Sequence, residues 1–469
     1  MTRASGKIVC VVITALIADF VLAGQLSNKQ SPAEASQVKS VSAWLAANAV
    51  RCDSEDLNTL TDLQPLKKAL KGVRVIAVGE ATHGTHEFFL FRHRLLVFLV
   101  QQMGFRTLAL ETGYASAGPL DAFVRGEAVD ITKALAQQGL WTWDTEEMRA
   151  ILDWLKKYNS SVRAQDRVRI VGFDIHYNEA GKREILEYLK RVAPERVAAT
   201  KTLFTPEAEK LLQAAFFTKD EGERKDLVAK LKELRVGYNE LLGFLTVNEM
   251  QFRRMTSGKE YSRVYGYARV LAQSGDNSDR PLKEADGPIR DYYMAENIKR
   301  AVDAAAPRTG VVVWSHNMHI SKGKENETDP LMGFHLHRFF GDAYYALGLS
   351  FNQGSFQARD YRATGKQAVM EFSVGAAPEG TIDWYLAQPG LKTYFVDLRK
   401  PVSDVVSRWL TASRPMRLIG SYYNADHHEM YFMPVTPGQD YDGFVYFDRT
   451  TRARPNPSVE NVADFVRQY

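Results

Sequence analysis

The sequence predicts an α/β protein with a mostly parallel central sheet that is flanked by helices and carries a helical cap insertion. Three observations support this prediction. Short runs of β-branched and apolar residues alternate with longer stretches in which apolar residues recur at helical spacing. The clearest short runs are mainly apolar, which is typical of strands buried on both faces of a parallel sheet. A long stretch rich in Lys, Glu, Arg and Leu interrupts the series and is expected to form the cap.

The N-terminus is typical of a secretory signal peptide over residues 1–23. Arg3 and Lys7 precede an apolar run, and a Val-Leu-Ala triplet ends at residue 23, where small residues mark a cleavage site. The run is well short of the ~20 apolar residues of a spanning helix. We therefore expect a periplasmic or secreted protein without stable membrane association after cleavage. The alternative is that the signal is not cleaved and serves as a membrane anchor. Residues 24–40 are expected to form a mobile leader before a folded domain at 41–469.

Four predicted strands each end at ionisable residues. A helix from about residue 86 to 102 follows the first of them. Ligands bind at the carboxyl ends of parallel strands, so we expect the active site there. Consecutive strands are usually neighbours, so the second strand is expected beside the first. The four strands are residues 73–78, followed by Glu80; residues 106–110, followed by Glu111; residues 168–173, followed by Asp174; and residues 309–314, followed by Ser315 and His316.

The cap is expected at about residues 182–307, where apolar residues lie three and four positions apart. The last third of the chain returns to strand-like runs at residues 344–350, 392–396 and 443–447, with a helix near residues 402–411. No internal repeat is evident.

Charge and cysteine content exclude several classes of function. With 60 Lys and Arg against 56 Asp and Glu, the net charge of +4 is small for 469 residues, so no nucleic-acid partner is expected. After signal cleavage Cys52 is the remaining cysteine, so an internal disulfide or a Cys-rich metal site is excluded. A Gly-x-Ser-x-Gly elbow is absent, which leaves little support for a serine triad that includes Ser315.

The segment Gly-Glu-Ala-Thr-His-Gly at residues 79–84 is the strongest chemical signal from the residues alone. A neutral histidine can accept a proton from water, and a carboxylate beside it can orient the ring and stabilise the imidazolium. His83 and Glu80 fit these roles. The alternative is a helix cap with an ordinary hydrogen-bonded histidine.

Several further charged residues are candidates for the same site. Glu111 either joins the site or forms a salt bridge with Arg92 or Arg106. Arg92 is a candidate for binding substrate or neutralising the carboxylates. Arg290 and Asp174 are candidates for binding substrate.

Two His-x-x-His pairs leave a metal site open as an alternative. They are His83 with His86 and His316 with His319. Imidazole and carboxylate groups suit a zinc-type site with an open position for water. Neither pair has the helical His-Glu-x-x-His frame, so we expect no metal and no other cofactor.

The chain resembles the erythromycin esterase family. The resemblance is carried by residues 79–89 (Gly-Glu-Ala-Thr-His-Gly-Thr-His-Glu-Phe-Phe), 110–112 (Leu-Glu-Thr), 172–174 (Gly-Phe-Asp), 290–297 (Arg-Asp-Tyr-Tyr-Met-Ala-Glu-Asn) and 314–319 (Trp-Ser-His-Asn-Met-His). It extends from about Val73 to Asp448.

This resemblance implies an α/β hydrolase that cleaves a lactone ester in macrolides such as erythromycin, using water activated by a histidine and no obligatory metal. His83 matches the family's general base. Glu80, Glu111, Arg92, His316 and His319 match residues around the reacting ester, with His316 or His319 polarising the carbonyl and stabilising the oxyanion. A small-molecule ester or lactone is the expected partner.

Two other functions stay open from the sequence. One is a metal-dependent hydrolase that acts on a different ester with the same histidines and acids. The other is a non-catalytic envelope protein that serves polysaccharide production and binds a glycan or a partner through the same cleft. Proteins that share a fold and a site often act on different substrates.

Overall fold

The computed structural model describes residues 32–176, 178–208, 211, 221–278, 288–324, 329–360 and 369–457. The predicted signal peptide and the start of the predicted leader lie outside the described residues. Across the part of the chain that is described, no helix is long and apolar enough to cross a membrane.

The strands of the described residues are β1 (Val50–Arg51), β2 (Val75–Val78), β3 (Phe105–Gly113), β4 (Arg169–Asp174), β5 (Gly310–Trp314), β6 (Tyr344–Asp360), β7 (Val369–Val374), β8 (Thr393–Asp397), β9 (Arg414–Arg417), β10 (Tyr422–Tyr423), β11 (Phe432–Val435) and β12 (Gly443–Thr450). The seven predicted strands are all found, as β2, β3, β4, β5, β6, β8 and β12, and the described residues also contain five strands that were not predicted.

One large sheet has the strand order β1-β8-β12-β6-β2-β5-β3-β4, and β7 and β10 also pair with β6. The six strands from β12 to β4 in this order are parallel to one another. β8 and β1 are antiparallel at one edge, and β9 with β11 forms a separate antiparallel pair. The predicted α/β class with a mostly parallel sheet is therefore confirmed.

Helices cover both faces of the sheet and form the cap. They are α1 (Pro32–Asn48), α2 (Leu66–Ala69), α3 (His86–Met103), α4 (Gly118–Val124), α5 (Ile131–Ala136), α6 (Glu146–Ser161), α7 (Glu179–Val192), α8 (Val197–Lys201), α9 (Glu221–Val247), α10 (Glu249–Met255), α11 (Gly258–Ser278), α12 (Pro288–Ala304), α13 (Asn317–Ile320), α14 (Met332–Phe340), α15 (Ile382–Ala387), α16 (Asp404–Thr411) and α17 (Pro437–Asp440).

The expected adjacency of the first two predicted strands is wrong. β5 lies between β2 and β3 and is hydrogen-bonded to both. Its five residues are all buried, so it can occupy the centre of a sheet that is covered on both faces. The consequence for the site is that residues 315–319 lie between the loop after β2 and the end of β3.

The sheet separates two hydrophobic cores, and alternate residues of β2 belong to different cores. Ile76 and Val78 pack with α3 and α6 on one face. Val75 and Ala77 pack with α1, α12 and α14 on the other face. This division follows from the two-residue period of side chains along a strand.

Helix α1 corrects the predicted extent of the mobile leader. Residues 32–40 belong to this helix, although the leader was expected to continue to residue 40. Val41 and Leu45 are fully buried in the second core, and Val38 packs against it. Burial of these apolar side chains stabilises the helix, which composition alone does not indicate.

The helical insertion contains a third core of its own. Buried side chains from α7, α9, α10 and α11 form this core, and Ala115 after β3 is its buried contribution from the sheet side. Helix α12, which is the last part of the predicted insertion, packs instead on the sheet through Met294 and Ile298. We call the unit formed by α7 to α11 the cap.

Candidate active site

The loop between β2 and α3 carries Glu80 and His83, and close packing determines its course. A Cβ atom at Gly84 would lie 2.4 Å from the backbone oxygen of Gln357 in β6. The carbonyl of Gly84 accepts hydrogen bonds from the backbone N–H groups of Gln357 and Ala453, both at 3.0 Å. Only glycine permits so close an approach between two backbones.

Glu80 and His83 form a directly hydrogen-bonded pair. His83 Nδ1 lies 2.6 Å from Glu80 Oε1, and because a carboxylate is only an acceptor, Nδ1 must carry the proton. Nε2 is then the nitrogen with a free lone pair, since no hydrogen bond engages it among the described residues. The His83 side chain is 12% exposed, and its ring lies 5.2 Å from that of His316 and 6.4 Å from that of Trp141.

Arg92 lies beneath this pair and is 0% exposed. Its Nη1 donates to Glu80 Oε2 at 2.6 Å. Its Nη2 donates to the carbonyls of Val78, Gly79 and Ser315 at 2.8–3.0 Å. The substrate-binding role predicted for Arg92 is incompatible with this burial. Arg92 instead neutralises Glu80 and joins the ends of β2 and β5.

Glu111 lies at an irregularity in β3. Two residues of β3, Glu111 and Thr112, lie opposite one residue of β4 in the pairing register, which is the pattern of a β-bulge. Glu111 Oε2 accepts hydrogen bonds from Ser315 Oγ at 2.6 Å and from the His316 backbone N–H at 2.9 Å. Neither salt bridge considered from the sequence, with Arg92 or Arg106, is the contact found for Glu111.

Arg290 and His319 form a cationic pair beside Glu111. Arg290 donates to both oxygens of Asp174, at 3.2 and 2.8 Å, and its Nη2 lies 3.7 Å from Glu111 Oε1. His319 Nε2 lies 3.5 Å from Glu111 Oε1, and Nδ1 lies 2.7 Å from Asp291 Oδ1. Asp174 is 2% exposed, so it orients Arg290 and is not placed to bind substrate.

His316 has both ring nitrogens engaged by the backbone. Nδ1 caps helix α13 by accepting from the N–H of Met318 at 3.4 Å, and Nε2 lies 3.2 Å from the carbonyl of Ile419. Nε2 therefore carries the proton and donates a hydrogen bond to the Ile419 carbonyl oxygen. Burial, with the nearby His83 and His319, lowers the pKa of His316 to about 3. Of the two histidines predicted to stabilise an oxyanion, this geometry favours His319 over His316.

Burial and neighbouring charges shift the pKa values of His83, His319 and Glu111. Burial lowers the pKa of His83, but the Glu80 carboxylate together with Glu111 outweighs it and holds the pKa above the ordinary 6.5. Burial also opposes protonation of His319, yet Asp291 and Glu111 raise its pKa to about 9. Glu111 is ionised, because His319, His83 and Arg290 outweigh burial and lower its pKa to about 2. At neutral pH the Asp291 and Glu111 carboxylates therefore favour the protonated, cationic form of His319.

The two His-x-x-His pairs do not converge on one point. His86 and His83 pair with different carboxylates: His86 Nδ1 lies 2.6 Å from Glu147 Oε1, whereas His83 Nδ1 contacts Glu80. Within the described ranges, no three His, Cys, Asp or Glu side chains are grouped so as to hold a metal ion.

Two residues with a positioning role were not predicted from the sequence. Asn317 is fully buried; its Nδ2 donates to the Leu349 carbonyl at 2.7 Å and its Oδ1 accepts from the Leu349 N–H at 3.1 Å. Its backbone N–H donates to the Glu80 carbonyl at 2.9 Å. Trp143 donates from Nε1 to the Glu111 carbonyl at 2.9 Å. Asn317 could have been suspected from its place within the 314–319 motif, whereas Trp143 lies outside the motifs that carry the family resemblance and was considered only as an aromatic residue that could line an apolar cleft.

The fold and the position of the site are typical of α/β proteins that bind a ligand at the edge of a parallel sheet. The acid and imidazole groups lie at the carboxyl edge of a parallel sheet, where open α/β sheets bind their ligands. They come from four adjacent strands and from α12, so they are far apart in sequence and close in space.

A sequence model of the erythromycin esterase family matches residues 100–450, and the chain belongs to this family. The chain is 26% identical to erythromycin esterase type II of Escherichia coli over 368 residues, covering 74% of this chain and 85% of that protein. Membership of this family places the chain among the hydrolases.

Solved structures show the same fold. A crystal structure of a Bacillus cereus protein aligns with a TM-score of 0.73 and 23% identity, covering 89% of this chain and 99% of that chain. A mutant of the erythromycin esterase EreC in its open conformation aligns with a TM-score of 0.62 and 15% identity, covering 85% of this chain and 96% of that chain.

Proposed function

We propose that this chain hydrolyses a carboxylic ester or lactone by means of water activated by His83, and that a macrolide such as erythromycin is its substrate. The observation that carries the proposal is the Glu80–His83 hydrogen bond, which leaves Nε2 as the base. The macrolide is supported by family membership and by the likeness to a macrolide esterase.

The proposed reaction needs one base and one cationic group. His83 Nε2 takes a proton from water as the water oxygen bonds to the ester carbonyl carbon. Negative charge then develops on the carbonyl oxygen, and protonated His319 stabilises it, with Arg290 alongside. The tetrahedral species collapses by breaking its bond to the alkoxy oxygen, which receives the proton from the His83 imidazolium.

Two carboxylates support this cycle without reacting. Glu80 holds the imidazole by Nδ1 and stabilises its protonated form. Glu111 is held by Ser315 and the His316 N–H, and it keeps His319 protonated. The Ser315 hydroxyl donates a hydrogen bond to the Glu111 carboxylate. The low pKa of that carboxylate makes it too weak a base to activate a serine, which agrees with water rather than serine as the nucleophile.

The test is a mass-spectrometric screen for the gain of one water. The purified chain is incubated with macrolides, simple lactones and acylated sugars. We expect ring-opened erythromycin with the unmodified protein and none with His83→Ala, because the base is lost. His428→Ala is the matched control, since its side chain is 67% exposed, and it should retain full activity.

Two outcomes would overturn parts of the proposal. If His83→Ala hydrolyses the ester as fast as the unmodified protein, the mechanism is wrong. If simple esters or acylated sugars react and no macrolide does, the macrolide is wrong and the ester hydrolase stands. Repeating the screen after exhaustive chelation tests the metal-dependent alternative, since that enzyme would lose activity and regain it with a divalent ion.

A further inference from the structure

A short segment after β12 crosses the loop that carries His83. We call this segment, residues 451–456, the C-terminal strap. The His86 N–H donates to the Thr451 carbonyl at 3.0 Å, and the Ala453 N–H donates to the Gly84 carbonyl at 3.0 Å. Arg452 and Thr85 form an antiparallel β-bridge between these two contacts. The strap thus pairs with the backbone immediately after His83.

The strap also binds a second loop, at residues 141–145, just before helix α6. The Glu146 N–H donates to the Arg454 carbonyl at 2.9 Å. Asn456 donates from its backbone N–H to the Asp144 carbonyl at 3.1 Å and from Nδ2 to Asp144 Oδ1 at 2.7 Å. Six residues of backbone therefore connect two loops that are about sixty positions apart in the sequence.

The second loop contacts the candidate site directly. Trp141 meets the His83 ring edge to face, and Trp143 donates to the Glu111 carbonyl. Any movement between the two loops would therefore displace His83 relative to Glu111.

One buried carboxylate joins all three segments. Glu147, at the start of α6, has a side chain that is 2% exposed. It accepts from His86 Nδ1 at 2.6 Å and from the Arg454 backbone N–H at 3.1 and 3.2 Å. Arg454 Nε lies 3.3 Å away and adds a positive charge. A buried charge held by this many donors fixes the geometry of its partners, because leaving them unpaired is costly.

We propose that Glu147 is a positioning residue that, through His86 and the C-terminal strap, fixes the His83 loop in its reactive orientation. This gives His86 a positioning role outside the reaction, since its Nδ1 is engaged by Glu147. The effect on turnover rests on the proposed function, whereas the effect on His83 itself does not.

The experiment compares Glu147→Gln and His86→Leu with the unmodified protein. Asp153→Asn is the matched control, because Asp153 lies on the same helix in an exposed ion pair with Arg149. Two quantities are measured: the pKa of the His83 imidazole by NMR with labelled histidine, and kcat and KM for the ester found by the screen.

We expect both variants to lower kcat by roughly tenfold or more, with KM changed less than about twofold. The reason is that a small displacement of a catalytic base slows the chemical step much more than it weakens substrate binding. We expect the His83 pKa to fall towards 6.5, since the loop no longer holds the ring against Glu80. His86→Leu keeps the test valid if Glu147→Gln does not fold.

The proposal is overturned if Glu147→Gln and His86→Leu fold and have the same His83 pKa and the same kcat as the Asp153→Asn control. If the chain hydrolyses no ester at all, the NMR measurement still decides whether Glu147 positions His83. Failure of the proposed function and failure of this inference are therefore distinguishable.

Discussion

At the level of single residues, the contacts that orient His83 also oppose its use as a base. Glu80 fixes the tautomer and stabilises the imidazolium, but the same carboxylate raises the pKa of His83 above 6.5. Arg92 limits this effect, because it shares the Glu80 charge through a 2.6 Å hydrogen bond. For His319 a raised pKa is an advantage, because it keeps the ring cationic next to the place where an oxyanion would form.

The first prediction is a bell-shaped dependence of kcat/KM on pH. A base acts only when it is deprotonated, so the rate should rise with pH through a midpoint above 6.5, which is set by His83. It should fall again near pH 9, as His319 loses its proton. The measurement is kcat/KM across pH 5–10.

Two variants assign the limbs of this profile. Glu80→Gln should move the acidic midpoint to lower pH, because the charge that raises the His83 pKa is removed. His319→Gln should lower the rate and remove the alkaline limb. An acidic midpoint that Glu80→Gln leaves in place would assign that limb to a group other than His83.

At the level of elements, the bulge in β3 determines where Glu111 points. The extra residue in β3 needs close contact with β4, and a Cβ atom at Gly172 would lie 2.3 Å from the Gly113 carbonyl oxygen. Gly172 of β4 is therefore required because the bulge leaves no room for a side chain, and not because of the backbone angles of Gly172. Such irregularities commonly redirect a side chain next to a functional site.

The second prediction is that Gly172→Ala displaces the bulge and impairs the site. We expect a loss of stability of about 1–3 kcal/mol, which is typical of overpacking, together with a fall in kcat. Urea unfolding and the ester assay measure the two effects. Gly118→Ala is the control, since no atom lies within 4 Å of its added Cβ.

Equal stability for Gly172→Ala and Gly118→Ala would contradict this account of the bulge. A loss of stability without a loss of kcat would show that Glu111 keeps its orientation when β3 and β4 separate.

At the level of the whole molecule, the strand order brings the site together and the cap has a separate core. β2, β5, β3 and β4 are adjacent and parallel, so Glu80, His316, Glu111 and Asp174 lie along one edge of the sheet. The cap core joins helices α7, α9, α10 and α11 and shares few residues with the sheet. Such a unit can open without unfolding the rest of the chain.

The third prediction is that Leu241→Ala loosens the cap selectively. Leu241 is buried in the cap core, and a buried Leu→Ala change typically costs about 2–5 kcal/mol. Hydrogen exchange should become faster in α7, α9 and α11, while β2 and β5 keep their protection. Val313→Ala in the sheet core is the comparison, and it should weaken protection of the sheet. Faster exchange throughout the protein with Leu241→Ala would show that cap and sheet unfold together.

Much of the fold could be predicted from the pattern of apolar runs. The four strands that end at the site, helix α3 and helix α16 were predicted within a few residues of their observed bounds. The short strands β1, β9, β10 and β11 were not predicted, because strands of two to four residues have no readable period. The six-residue strand β7 was not predicted either. The length of β6 was also underestimated, because it continues past its apolar run to pair with β7 and β10.

The sequence by itself determined the α/β class, the family resemblance and the location of the candidate site at the ends of four strands. These follow from local composition and from motifs of adjacent residues. Only the tertiary structure decided that β5 separates β2 from β3, that Arg92 and Asp174 are buried supports, and that His316 is held by the backbone. It also showed that His86 is bound by Glu147. The physical reason is that burial and hydrogen-bond partners depend on contacts between distant segments, and a linear pattern does not contain them.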